Sequence, residues 1–230
     1  MLNKLKNNLQ KKANSEKAKI LSRFFKTGKG EYGEGDLFLG ITVPAQRKIA
    51  KEYKDLSLRD IQELLKSKIH EHRLTALIIL IEKYQKSKEK KYFDFYLNNT
   101  KFINNWDLID LSCHKIIGNY ILNNPKEKDI LYNLAKKNHL WSKRISIVST
   151  YEFIRNNQFE DTLKISEILL NDKHDLIHKA VGWMLREVGK RDQIVEEKFL
   201  KKHYNVMPRT MLRYSIERFD KKKKDFYMGK

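Results

Sequence analysis

Residues 104–112 read NNWDLIDLS and put an indole, Trp106, beside two carboxylates, Asp107 and Asp110. With about 3.6 residues per helical turn, Trp106 and Asp110 share a face, while Asp107 is turned away by about 100°. A carboxylate flanked by an aromatic face is a poor contact for phosphate and a good host for a cation. Such an acid can stabilise positive charge that grows as a bond breaks, or orient an attacking water. Asp110 suits that work better than Asp107, because it shares the face of Trp106. The other two tryptophans carry a cation three residues on: Trp141 with Arg144 in WSKR, and Trp183 with Arg186 in WMLR.

These residues need elements to hold them, and the spacing predicts helices. The intervals from Trp106 to Trp141 and from Trp141 to Trp183 are 35 and 42 residues, close to the period of about 40 of stacked helical pairs. Equivalent helices of successive repeats are then expected to carry these side chains along one surface. Leu74, Leu77, Ile78 and Ile81 fall at i, i+3, i+4 and i+7 in HRLTALIILIEKY, with Ile79 and Leu80 making the segment apolar nearly all round. The stretch RISIVSTYEFI is rich in β-branched residues, but Trp141, Ile145 and Val148 make a helical stripe. Pro44, Pro125 and Pro208 each fall at or near a helix start, where the missing N–H costs nothing. About thirteen helices between residues 3 and 219, joined by short links, predict an all-α HEAT-like or armadillo-like solenoid, in one folding unit over 1–230. Residues 26–40, KTGKGEYGEGDLFLG, hold five glycines but neither a preceding strand nor a GK[ST] ending, so they read as a flexible loop rather than a phosphate loop. The tail DKKKKDFYMGK reads as a frayed, solvated end.

Composition limits the function classes. The 48 Lys+Arg against 29 Asp+Glu give a net charge of +19, which favours a polyanion through counterion release. No run approaches the roughly 18 apolar residues that span a bilayer, and the N-terminus lacks an apolar signal core, so a soluble cytoplasmic protein is expected. Cys113 is the only cysteine, which excludes an internal disulfide and a multi-cysteine zinc site. It reads as a small apolar filler rather than a nucleophile. The seven histidines show no ligand spacing, and neither a metal nor a cofactor is expected. An acid beside an aromatic in a chain that attracts nucleic acid suits a cation within the nucleic acid. N-alkylated purine nucleotides are such cations, and their sugars become oxocarbenium-like when the glycosidic bond breaks.

Four ordered blocks, FLGITVPAQRK at 38–48, NNWDLIDLS at 104–112, LWSKRISIV at 140–148 and HKAVGWMLREVGK at 178–190, together resemble the AlkD-type DNA alkylation repair family of HEAT-like-repeat glycosylases. The likeness runs over residues 15–220 or so. It implies a solenoid with a concave basic surface that grips double-stranded DNA and excises positively charged N3- and N7-alkylpurines without flipping the base; such a solenoid needs no partner subunit, so a monomer is expected. It also implies that Asp110 is the catalytic acid, Trp106 and Trp183 the cleft aromatics, and Arg144 the residue holding the DNA backbone. Trp141 is then left to packing between repeats. Arg47 and Lys48, early in the helix begun by Pro44, are candidate phosphate contacts, with His72, Arg73 and Lys179 as weaker ones. No lysine lies between Trp106 and Asp110 to serve as a lyase nucleophile. Two other readings fit the same charge: a non-catalytic binder of distorted or branched DNA, and an adaptor for an acidic protein.

Overall fold

Apolar stripes at helical spacing set the two long helices on which the chain packs. The computed structural model describes residues 1–229, which gather into two compact units, one ending at Ser112 and one beginning at Cys113. Among the described residues there is no strand, only an isolated bridge between Leu37 and Ile69. The fold is all-α, as the periodicity predicts.

The first unit runs through α1 (Leu2–Gln10), α2 (Ser15–Phe24), α3 (Val43–Glu52), α4 (Leu58–Leu65), α5 (His70–Ser87), α6 (Lys90–Asn98) and α7 (Trp106–Cys113), whose last residue opens the second unit. Helix α5 is its centre, buried without interruption from His70 to Ile81, so any charged group at its start must be paired inside the protein. Helix α3 packs on one side of it and α4 on another. Caps fix the entries: the Asn14 side chain accepts the Lys17 N–H at 2.9 Å, and Ser57 accepts the Asp60 N–H at 3.1 Å.

Residues 26–40 are not a loose loop. Leu37 donates its N–H to Lys68 at 2.9 Å, and His70 returns a bond to the Leu37 carbonyl at 2.8 Å. The Glu71 carboxylate accepts the N–H groups of Leu39, Gly40 and Ile41 at 2.9, 2.8 and 3.2 Å. Gly40 makes this approach possible: its φ is +79°, and a Cβ there would lie 2.2 Å from the Asn14 carbonyl. Glycine spacing shows where the chain bends; it carries no sign of the carboxylate that captures the bend.

The second unit continues with a π-helical turn, His114–Gly118, then α8 (Asn119–Asn123), α9 (Asp129–Lys136), α10 (Leu140–Ser149), α11 (Tyr151–Arg155), α12 (Glu160–Leu169), α13 (Asp175–Gly189), α14 (Gln193–His203), α15 (Arg209–Ser215) and α16 (Lys221–Met228). Helix α13 is its centre, packed by α10, α12, α14 and α15. Gly182 lets α15 come close, since a Cβ would sit 2.4 Å from the Met211 carbonyl and 2.6 Å from the Tyr214 Cβ. The tail, expected to fray, is helix α16. Asp220 caps it through the Lys223 N–H at 2.9 Å, and Tyr227 is buried against Tyr204 and Phe219 with centroids 5.4 and 5.8 Å away. The lysine run hid a capped helix anchored by one buried ring, Tyr227.

Candidate functional site

In the first unit, Trp106 opens α7, its N–H donating to Asn105 Oδ1 at 2.8 Å. Its ring stacks on Phe25, centroids 5.2 Å apart at 22°, and meets Phe24 edge-on at 5.8 Å and 71°. Phe25 stacks in turn on Phe38 at 5.1 Å, and Phe38 lies on the imidazole of His70 at 4.6 Å. Asp110 follows one turn after Trp106, half-buried.

Asp107 points elsewhere, to His70, whose Nε2 lies 2.8 Å from Asp107 Oδ2. On the other side of the ring, Nδ1 is 3.3 Å from Asp36 Oδ2, and Arg73 Nη2 is 2.5 Å from that same oxygen. Arg73 Nη1 donates to Asn104 Oδ1 at 2.7 Å. Burial alone would push the His70 pKa down, but the bonds to Asp107 and Asp36 outweigh it and hold the imidazole above its ordinary value. Burial likewise pushes the Asp36 carboxyl up, and His70 with Arg73 more than reverses this. The second oxygen of Asp107, Oδ1, is buried with no hydrogen-bond partner. A cavity of about 270 Å³ lies against His70 and Asp107, walled by Phe24, Phe25, Phe38 and Leu74.

In the second unit, Arg144 on α10 is only 5 % exposed, and its Nη1 donates to the Leu176 carbonyl in the first turn of α13 at 2.5 Å. Trp183, further along α13, donates Nε1–H to Glu187 Oε1 at 3.1 Å and lies 6.0 Å from Tyr151. Arg186 is taken by Glu217 and lies 3.7 Å from Glu187. Trp141 is buried in α10.

The candidate phosphate contacts divide. Arg47 and Lys48 are exposed on α3, and Lys179 is half-exposed with Asp175 at 2.7 Å. His72 and Arg73 are corrected: both are buried on α5. His72 bonds Ser67 Oγ at 3.0 Å, and burial lowers its pKa to about 4, so it is neutral at physiological pH. Arg73 is spent on Asp36 and Asn104. Neither presents an exposed cation to a phosphate. Sequence reasoning missed Asp36, His70 and the phenylalanines at 24, 25 and 38. The signal available was the acid at the end of a glycine-rich stretch and a histidine opening an otherwise apolar helix, both of which must find a partner once buried.

Among the described residues, no helix is long and apolar enough to cross a membrane, and no group of three or more His, Cys, Asp or Glu is arranged to hold a metal ion. Helices throughout, a net charge of +19 and an acid one turn from a stacked tryptophan define a basic helical protein suited to nucleic acid. The model of the DNA alkylation repair enzyme family matches residues 5–219, and the chain belongs to that family. Membership makes DNA its partner. Among solved structures it is similar to a predicted DNA alkylation repair enzyme from Enterococcus faecalis, with 18% identity and a TM-score of 0.74 over 91% of this chain and 98% of that one. At that identity the likeness speaks for the fold. Comparison with curated proteins gives no match.

Proposed function

We propose that the chain is a monofunctional DNA glycosylase that hydrolyses the N-glycosidic bond of cationic N3- and N7-alkylpurines in duplex DNA, without flipping the base, as a step of base excision repair. The observation that carries this reading is the division of labour between the two acids of α7. Asp107 turns to His70 at 2.8 Å, whereas Asp110 lies half-buried one turn beyond the stacked ring of Trp106, on the face that ring shares.

The chemistry asks for an anion rather than for a proton donor. An alkylated purine already carries a positive charge. When the bond from C1′ to N9 breaks, its electron pair passes to N9 and the base leaves neutral, needing no protonation. The charge moves to the sugar as an oxocarbenium-like centre, which the Asp110 carboxylate stabilises. Water adds through its oxygen to C1′, and its proton passes to the carboxylate and then to solvent. Trp106 lines the sugar with an aromatic face that favours the same charge.

From the second unit, Trp183 contributes an aromatic contact, and for Arg144 to hold the DNA backbone its buried guanidinium must first leave the Leu176 carbonyl. Arg47, Lys48 and Lys179 supply phosphate contacts whose strength falls with added salt. The family match runs through both units, over residues 5–219. On this reading residues 1–230 act as one functional domain, a monomer in the cytoplasm with no cofactor.

Release of free base from duplex DNA carrying N7-methylguanine tests the reading. Asp110→Asn is expected to slow release at least about tenfold, or about 1.4 kcal/mol of transition-state stabilisation, with DNA binding kept. Salt-sensitive binding with no release by the wild type would make the chain a non-catalytic DNA binder instead.

A further inference from the structure

His70 is joined to the start of α7 by two routes. One is the bond to Asp107, the residue after Trp106. The other is the ring stack, His70 against Phe25 at 5.0 Å and Phe25 against Trp106 at 5.2 Å. We propose that His70 is a positioning residue: held between Asp36 and Asp107, it fixes the first turn of α7 and thereby aims Trp106 and Asp110. This rests on the glycosylase reading for its effect on rate, but its effect on α7 can be measured without it.

The groups facing the ring account for both of its charge states. Asp36 approaches from the segment before α3, Asp107 from α7, and Arg73 from one turn along α5, its Nη2 3.3 Å from His70 Nδ1. Glu71, next in α5, is turned to the backbone of residues 39–41 and does not compete. Phe25 and Phe38 pack against the ring, centroids 5.0 and 4.6 Å away. Protonated, His70 donates from Nδ1 to Asp36 and from Nε2 to Asp107. Neutral, it keeps Nε2–H on Asp107 but can only accept at Nδ1, so the Asp36 bond is lost and Arg73 alone faces that nitrogen. The bond to Asp107 then loses the charge of its donor while that carboxylate still holds an unpartnered buried oxygen. The clamp therefore loosens without breaking.

The sign follows from the raised pKa. The stabilisation is complete below the ordinary histidine value of 6.5 and is lost as pH climbs through the higher value of the folded protein. Burial at 2 % exposure and the stacked rings keep solvent from replacing the lost bond.

The experiment measures single-turnover base release and DNA affinity from about pH 5.5 to about pH 9, for wild type, His70→Gln and Asp36→Asn. Amide hydrogen exchange at residues 106–110 is followed in parallel. Wild-type release is expected to fall by about fivefold on the alkaline side, the scale of one lost charge-assisted bond. His70→Gln should be slow and flat across that limb, and Asp36→Asn should shift the fall to lower pH. DNA affinity should change less than about twofold, since none of these groups meets phosphate. Exchange at the start of α7, corrected for its intrinsic pH dependence, should rise with pH in the wild type and stay level in His70→Gln. A wild-type alkaline fall that persists in His70→Gln, or exchange insensitive to pH in the wild type, overturns the proposal. If His70→Gln does not fold, the direction of the Asp36→Asn shift decides. If the wild type releases no base at all, the glycosylase reading fails, and the exchange data alone decide whether His70 positions α7.

Discussion

Two acids, one in each unit, are buried to a similar depth and end in opposite states. Asp36 of the first unit is 7 % exposed and Glu196 of the second is 2 % exposed. Burial pushes both carboxyls toward the neutral form. Asp36 meets the Arg73 guanidinium at 2.5 Å and the His70 ring at 3.3 Å, and its pKa falls below the ordinary value. Glu196 has burial compounded by the charge of Glu197, with only a lesser pull from Arg186, and its pKa rises to about 8. Its Oε1 has no hydrogen-bond partner. Depth alone therefore does not set the charge of a buried acid; the partner does. The first unit uses its buried acid as a fixed anion beside the proposed site, and the second keeps its buried acid largely as a neutral filler at the start of α14.

That contrast can be broken from the side of the first unit. Replacing Arg73 with Met leaves Asp36 ionised and short of its main partner, which is expected to destabilise the protein by about 3 kcal/mol in urea unfolding. A loss under about 0.5 kcal/mol would mean that Asp36 is not held by Arg73 in the way the 2.5 Å contact requires. The converse change in the second unit is stabilising. An acid of raised pKa ionises first in the unfolded chain, so folding loses stability as pH rises from the ordinary 4.5 toward about 8. Glu196→Gln removes that penalty. It is expected to gain on the order of 2 kcal/mol at pH 8, discounted because the amide also leaves an atom unpaired, with the advantage gone near pH 4. Thermal unfolding at the two pH values checks this, and equal effects at both would refute it.

The smallest effect concerns how the two tryptophans are held. Trp106 is fixed by stacked rings, whereas Trp183 depends on Glu187, a side chain shared with Lys190 at 2.6 Å. Glu187→Gln keeps an acceptor for the indole and removes the ion pair. It is expected to cost under about 1 kcal/mol and to reduce the salt dependence of stability. A Phe25→Ala change at the other tryptophan would cost about 3 kcal/mol or more, because it opens a cavity under Trp106.

How much of this was legible in the sequence depends on the range of the contact. Helix α5 could be read from Leu74, Leu77, Ile78 and Ile81, because a helical stripe is local. His72 and Arg73, expected as phosphate contacts, lie on that same helix, where burial leaves the one neutral and pairs the other inside. The tail was misread because a run of four lysines looks solvated until Asp220 and Tyr227 are weighed as a cap and an anchor. The network of Asp36, His70 and Asp107 was not legible at all. Its bonds join residues 34 and 37 positions apart, and nothing in a glycine-rich stretch announces which distant ring its acid will meet.

The capture of residues 39–41 by Glu71 has a consequence for synthesis of the chain. Three backbone N–H groups converge on a carboxylate that lies 30 to 32 residues later in the sequence. On the ribosome, the segment from 26 to 40 emerges well before its fastener. Its final shape, and the placing of Asp36 with it, waits until the first turn of α5 has left the exit tunnel.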